Sequence, residues 1–152
     1  MRQKLVNLIR DQLKQGTTPQ KMALTIALGL TLGVFPILGS TTILCLAFAS
    51  IFKLNQPAMH FINYLLYPVQ ILLIPVFIEA GAWIFGAEAL PFSVSKALAV
   101  FASDPALFFR QFGLCAVYGM GAWAVFALPL IAAVYFLVLP RLDRFYPEGG
   151  KS

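Results

Sequence analysis

Gly33-Val34-Phe35-Pro36-Ile37-Leu38-Gly39-Ser40-Thr41-Thr42 interrupts a long apolar run, and the reading of this stretch decides the fold. Two glycines and a proline set so close together argue against one continuous helix and for two short helices joined by a loop. Residues 20–33 would give about 21 Å of helix and residues 41–52 about 18 Å, and neither crosses a hydrocarbon core of about 30 Å. The expectation is a re-entrant hairpin over about 20–52, with its loop at membrane depth.

Composition supports a membrane setting. Of 152 residues, 60% are hydrophobic and 11% charged, where soluble domains carry about 25% charged residues. Between Lys21 and Lys53 lie 31 uncharged residues, between Lys53 and Glu79 lie 25, and between Arg110 and Arg141 lie 30. Each exceeds the roughly 20 residues of a transmembrane helix. The net charge of +5 is gathered at the ends, in Arg2, Lys4, Arg10, Lys14 and Lys21 and again in Arg141, Arg144 and Lys151. That distribution suits a membrane surface and argues against a nucleic-acid partner. Basic flanks at both ends put both termini in the cytoplasm and make the number of full crossings even. The first apolar stretch starts too late and runs too long for a signal peptide, so the chain is expected to begin at Met1.

Working outward from the hairpin, Leu5, Ile9 and Leu13 with Leu8 beside them predict an amphipathic interfacial helix over residues 1–16. Thr18-Pro19 is a cap followed by a first helical proline. Leu54-Asn55-Gln56-Pro57 opens a second segment, about 56–86, with Asn55 as cap. Tyr67-Pro68 makes it either a half-helix plus a full helix or one kinked helix. A loop with a short interfacial helix is expected over 87–104. Asp104-Pro105 starts a last span over about 105–139, ended by Pro140 and followed by a cytoplasmic tail, 140–152. The fold class is thus all-α integral membrane, a single membrane domain with two main transmembrane helices.

Several polar groups stand out in this apolar setting. Loop backbone at membrane depth is tolerated only inside protein or along a water-filled cavity. Gly33, Pro36, Gly39 and Thr41 therefore belong to a turn that either shapes the fold or, through the N–H groups and hydroxyls at the start of the next helix, receives an anionic or polar group. Gln56, His60, Asn63, Tyr67 and Gln70 recur at steps of 4, 3, 4 and 3, one stripe on a helix. It should face the bundle interior, as a polar site or as interhelical bonding. Glu79 is the only acid within a long apolar stretch, near the midplane if the crossing starts at Pro68 and at the far interface if it starts at Pro57. Gly29-xxx-Gly33 and Cys115-xxx-Gly119 allow close helix approach. Trp123 is too central in its segment for an interfacial belt. Cys45 and Cys115 lie singly in apolar runs as small hydrophobes, and with His60 the one histidine, no metal site or cofactor is expected. No GxSxG, Walker loop, HExxH or workable carboxylate pair is present, so no catalytic residues are assigned and an enzyme is not expected.

The residues Ala27-Leu28-Gly29-x3-Gly33-Val34-Phe35-Pro36-Ile37-Leu38-Gly39-x-Thr41, Leu54-Asn55-Gln56-Pro57 and Asn63-Tyr64-Leu65-x-Tyr67-Pro68-x-Gln70 resemble the bacterial membrane family catalogued as domain of unknown function 2062. Many members resemble one another in an Asn-Pro pair in the second segment, whereas here Tyr64 follows Asn63 and Tyr67-Pro68 supplies the proline. The resemblance implies a bacterial cytoplasmic (inner) membrane protein, and some relatives are joined to glycosyltransferase domains. The functional expectation is a small transporter-like or lipid-handling protein, in the bilayer and as a possible homo-oligomer, with its polar site at the hairpin loop and the stripe. The alternative is a scaffold or accessory subunit for an envelope-biogenesis enzyme such as a glycosyltransferase.

Overall fold

The computed structural model describes residues 3–4, 18–88 and 93–145, and among these the chain is all-helical. Six helices follow in order: α1 (Pro19–Gly33), α2 (Ser40–Ile51), α3 (Gln56–Leu65), α4 (Tyr67–Ile84), α5 (Val94–Ser103) and α6 (Pro105–Phe145). The expected interfacial helix over residues 1–16 falls outside the described residues apart from Gln3 and Lys4, as does the tail beyond Phe145.

Local chemistry sets most of the helix boundaries. Thr18 accepts a hydrogen bond from the Lys21 amide at 3.2 Å, Asn55 from Ala58 at 2.9 Å and Asp104 from Leu107 at 3.1 Å. Each satisfies a first-turn donor that the helix itself cannot pair, and in each case a proline stands within the first two helical positions. At the end of α2 the Leu54 amide reaches back to the Ala49 carbonyl at 2.8 Å and the Lys53 amide to Ser50 at 3.4 Å, with Lys53 at φ 52. This Schellman turn sends the chain sharply into α3.

The helices α1 and α2 form a hairpin. Its open end is closed by the Asn55 amide, which donates to Thr25 Oγ1 at 3.4 Å and so returns the end of α2 to the first half of α1. Along α1, Met22, Ala23, Thr25, Ala27, Leu28, Gly29, Thr31, Leu32 and Gly33 are all buried, which makes it the central element, flanked by α2, α3 and α6. Small residues make that possible. A Cβ on Gly29 would come 3.3 Å from Ile62, and one on Gly33 would come 2.9 Å from Leu66, so the Gly29-xxx-Gly33 pair is the groove in which α3 lies. Met59, Cys45, Ala49, Leu28, Leu32 and Leu54 form the core there, with Trp123 and Ile131 of α6 against it.

A second, smaller core joins Ile74 and Ile78 of α4 to Cys115 of α6, with Leu38 of the hairpin loop beside it. Here α4 and α6 touch backbone to backbone: a Cβ on Gly81 would run into the Tyr118 carbonyl oxygen. Nearby, Gly119 faces Ile78 and Pro36, and Gly121 faces the Phe85 ring. Cys45 and Cys115 sit in these two separate cores as buried free thiols.

Of the two forms expected for the second segment, the half-helix followed by a longer one is found: Leu66 turns the chain between α3 and α4, with its amide still bonded to Ile62 at 3.0 Å. One boundary differs from expectation. The last helix does not stop at Leu139. It continues through Pro140 to Phe145, and the Arg141 guanidinium bonds the Leu137 carbonyl at 2.7 Å. A proline here costs one amide donor, that of the Phe136 carbonyl four residues back, and a cationic side chain in the last turns favours the carbonyl end of the helix.

Both α4 and α6 are long and apolar enough to cross a membrane by length and composition. At 1.5 Å per residue α6 extends about 60 Å, well beyond a hydrocarbon core of about 30 Å.

Candidate functional site at the hairpin loop

A helix that ends inside a protein leaves its last carbonyls without partners, and a loop adds more. In this chain the break after α1 is satisfied by side chains from other helices. The Trp123 indole N–H of α6 donates to the Thr31 carbonyl at 2.9 Å, with its ring edge-on to Phe35 at 4.8 Å. The Gln70 side-chain amide of α4 donates to the Phe35 carbonyl at 2.7 Å and to the Ile37 carbonyl at 3.3 Å. Ser40 adds its hydroxyl to Ile37 at 2.9 Å. Residues 34–39 are thus held from three sides. Pro36, which has no amide to satisfy, is buried against Gly119, while Gly39 lies exposed at φ 83, a left-handed conformation suited to glycine.

The expected stripe divides at the Leu66 turn. On α3, Gln56 and Asn63 meet the polar residues of α2: Gln56 donates to Ser50 Oγ at 3.2 Å, and the Asn63 amide nitrogen lies 3.5 Å from Thr42 Oγ1. His60 lies between them on the same helix, half-buried and stacked on Tyr64 with ring centroids 6.3 Å apart. Beyond the turn, Gln70 points at the loop. Tyr67 is exposed at the start of α4, and Glu79 is exposed on α4. The loop therefore has Gly33, Pro36, Gly39, Thr41, Asn63 and Gln70 around it, while Gln56 is at the far end of α3.

Three buried polar atoms have no hydrogen-bond partner among the described residues: His60 Nδ1, Asn63 Oδ1 and Gln70 Oε1. Asn63 is 4% exposed and Gln70 1%. Leaving a buried acceptor unpaired costs about 1–3 kcal/mol, a cost these atoms carry within the described residues.

Next to the loop lies a cleft of about 370 Å³. Pro36, Ile37 and Leu38 form one wall, Ile74 and Ile78 of α4 another, and Ala97, Leu98 and Phe101 of α5 with Phe108, Phe109 and Phe112 of α6 the rest. Its size falls at the lower end of the range of about 300–1,000 Å³ for small-molecule pockets. Among the described residues, no charged or hydrogen-bonding side chain lines it.

Thr31 and Trp123 belong to this site and were not among the residues singled out for it. The one signal was the central position of Trp123, which left its indole in need of a buried acceptor. No curated protein and no solved structure matches the chain. A family described as uncharacterized protein conserved in bacteria matches residues 2–146, and so the chain belongs to the DUF2062 family.

Proposed function

We propose that this chain is an integral protein of the bacterial cytoplasmic membrane that handles a lipid, holding a hydrocarbon chain beside its broken-helix hairpin. The observation that carries the reading is the cleft of about 370 Å³ between the hairpin loop and α4, α5 and α6, whose described lining side chains are all apolar and include four phenylalanines. A polar or ionic solute gains nothing from such walls, whereas a hydrocarbon chain loses nothing in leaving the bilayer for them.

The outer surface supports the membrane setting. Ile43, Leu72, Trp83, Leu128 and Phe136 are each at least 70% exposed, on α2, α4 and α6. In water such a surface promotes aggregation, and in a bilayer it is solvated. The hairpin helices are each too short to cross alone, and their loop is enclosed by α4 and α6, the condition under which irregular backbone is tolerated at depth. Both termini then lie on the cytoplasmic side, as the basic residues at each end favour.

The test is native mass spectrometry of the protein purified from bacterial membranes in mild detergent. Wild type should carry one bound lipid. A Cβ on Gly113 would meet nothing within 4 Å, and this residue lines the cleft, so Gly113→Trp should fill it without displacing neighbours and should release the lipid while the protein still melts cooperatively. Wild type free of lipid, or a folded Gly113→Trp protein that retains it, would overturn the reading.

A further inference from the structure

A second hollow, of about 510 Å³, lies between the start of α1, the turn after α2 and the second half of α6. It shares no lining residue with the cleft beside the hairpin loop. Gln20, Phe52, Leu128 and Ala132 on its walls are exposed, so it is a groove on the outer surface of the bundle.

The two ends of this groove differ in chemistry. Trp123 meets Thr31 at the hairpin loop, and Tyr135 shares the groove with Lys21, so α6 runs antiparallel to α1 here. Between those two levels lie about 18 Å of α6 and about 15 Å of α1. Gln20, Lys21 and Tyr135 therefore form a polar end far from the loop, while Leu24 and Leu128 carry the groove back toward it along apolar side chains. A second cation stands at the polar end. Lys53 is flanked by Phe52 and Leu54 of the groove wall, and the Asn55 amide on Thr25 Oγ1 ties that turn to the first half of α1. Lys21 and Lys53 also bound the 31 uncharged residues of the hairpin, so the polar end lies where the apolar surface stops. Among the described residues no acidic side chain lines the groove, and the charge on Lys21 is not neutralised there. In a bilayer a lysine so placed extends its ammonium to the head-group level and attracts anionic lipid.

We infer that this groove seats an anionic phospholipid of the cytoplasmic leaflet, with its phosphate on Lys21 and an acyl chain along Leu24, Leu128 and Ile131. The inference takes the membrane setting from the reading above and goes beyond it, using none of the residues of the inner cleft. An open groove exchanges its lipid with detergent, so this lipid is read by titration, whereas the lipid of the inner cleft is read by co-purification.

The experiment titrates delipidated full-length protein in detergent at low salt with phosphatidylglycerol and with phosphatidylethanolamine of the same chains, bound lipid being counted by native mass spectrometry. Wild type should bind phosphatidylglycerol about fivefold tighter, the gain from one lysine at the membrane surface. Lys21→Gln should abolish the preference. Lys21→Glu, an acid in the first turn of α1 where a helix favours one, should reverse it and serves as the second variant. Ala132→Trp, which fills the groove from α6, should weaken both lipids several-fold. Gly113→Trp fills only the inner cleft and should leave the preference as in wild type. Equal wild-type affinity for the two lipids, or a Lys21→Gln protein that keeps the preference, would overturn the groove site and leave the inner-cleft reading standing. A preference lost in Gly113→Trp but kept in Ala132→Trp would assign the anionic lipid to the cleft and overturn the groove.

Discussion

Replacing Gly81 by alanine tests the architecture where it is tightest. The added Cβ would run into the Tyr118 backbone at its carbonyl oxygen. The opposing group is backbone inside a long helix, which cannot swing aside as a side chain does. The helices α4 and α6 must separate, and Ile74, Ile78 and Cys115 lose their packing together. A gap of 0.5–1 Å already forfeits about a quarter to a half of each dispersion contact, so the expected loss is about 3 kcal/mol, at the upper end for overpacking. For a chain of this length that lowers Tm by about 6–12 °C, at about 2–4 °C per kcal/mol. Thermal unfolding in detergent, followed by tryptophan fluorescence, measures it. Gly113→Ala is the matched control on α6: nothing lies within 4 Å of its Cβ, and helix propensity alone favours alanine by about 0.8–1.0 kcal/mol, so Tm should rise slightly. Two variants melting at the same temperature would refute the claim that a backbone contact at Gly81 joins α4 to α6.

Two further outcomes follow from the hairpin. Trp123→Phe keeps an aromatic ring against Phe35 but leaves the Thr31 carbonyl without its donor, and should cost about 1–3 kcal/mol in the same melt; an unchanged Tm would mean that this carbonyl is satisfied otherwise. Single-cysteine variants on a cysteine-free background should label at Ser93 from outside intact cells and at Lys53 only after permeabilisation, and external labelling at Lys53 would refute the membrane arrangement proposed here.

The features legible in the sequence are those set by neighbours a few residues apart. Thr18-Pro19, Asn55-Gln56-Pro57 and Asp104-Pro105 each combine a capping oxygen with a residue that has no amide to donate, and helices start there. Gly33, Pro36 and Gly39 mark the break between α1 and α2 by local chemistry too, Pro36 having no amide and Gly39 adopting a left-handed conformation. The polar stripe was less legible, because its spacing assumes one continuous helix and the Leu66 turn divides it. Gln56 and Asn63 face α2, Tyr67 is turned outward, and Gln70 braces the loop. Pro140 misled in the opposite direction: a proline near a helix end suggests a stop, yet the helix continues past it with the Arg141 side chain on the Leu137 carbonyl. The link from Trp123 to Thr31 joins residues 92 positions apart, and no local pattern encodes which carbonyl a distant indole will find.

That separation gives the hairpin a history as well as a shape. At about 5–20 residues per second, the ribosome adds Trp123 about 5–18 s after Thr31. Gln70 arrives earlier, being 35 residues beyond the Phe35 carbonyl it serves. For that interval the break in the nascent chain holds a carbonyl whose final partner has not been made, so another donor must stand in for the indole. Only when α6 is laid against α1 can the Thr31 carbonyl meet its donor. The last helix is thus the closing step of folding, and a chain released before Trp123 would carry an unsealed hairpin.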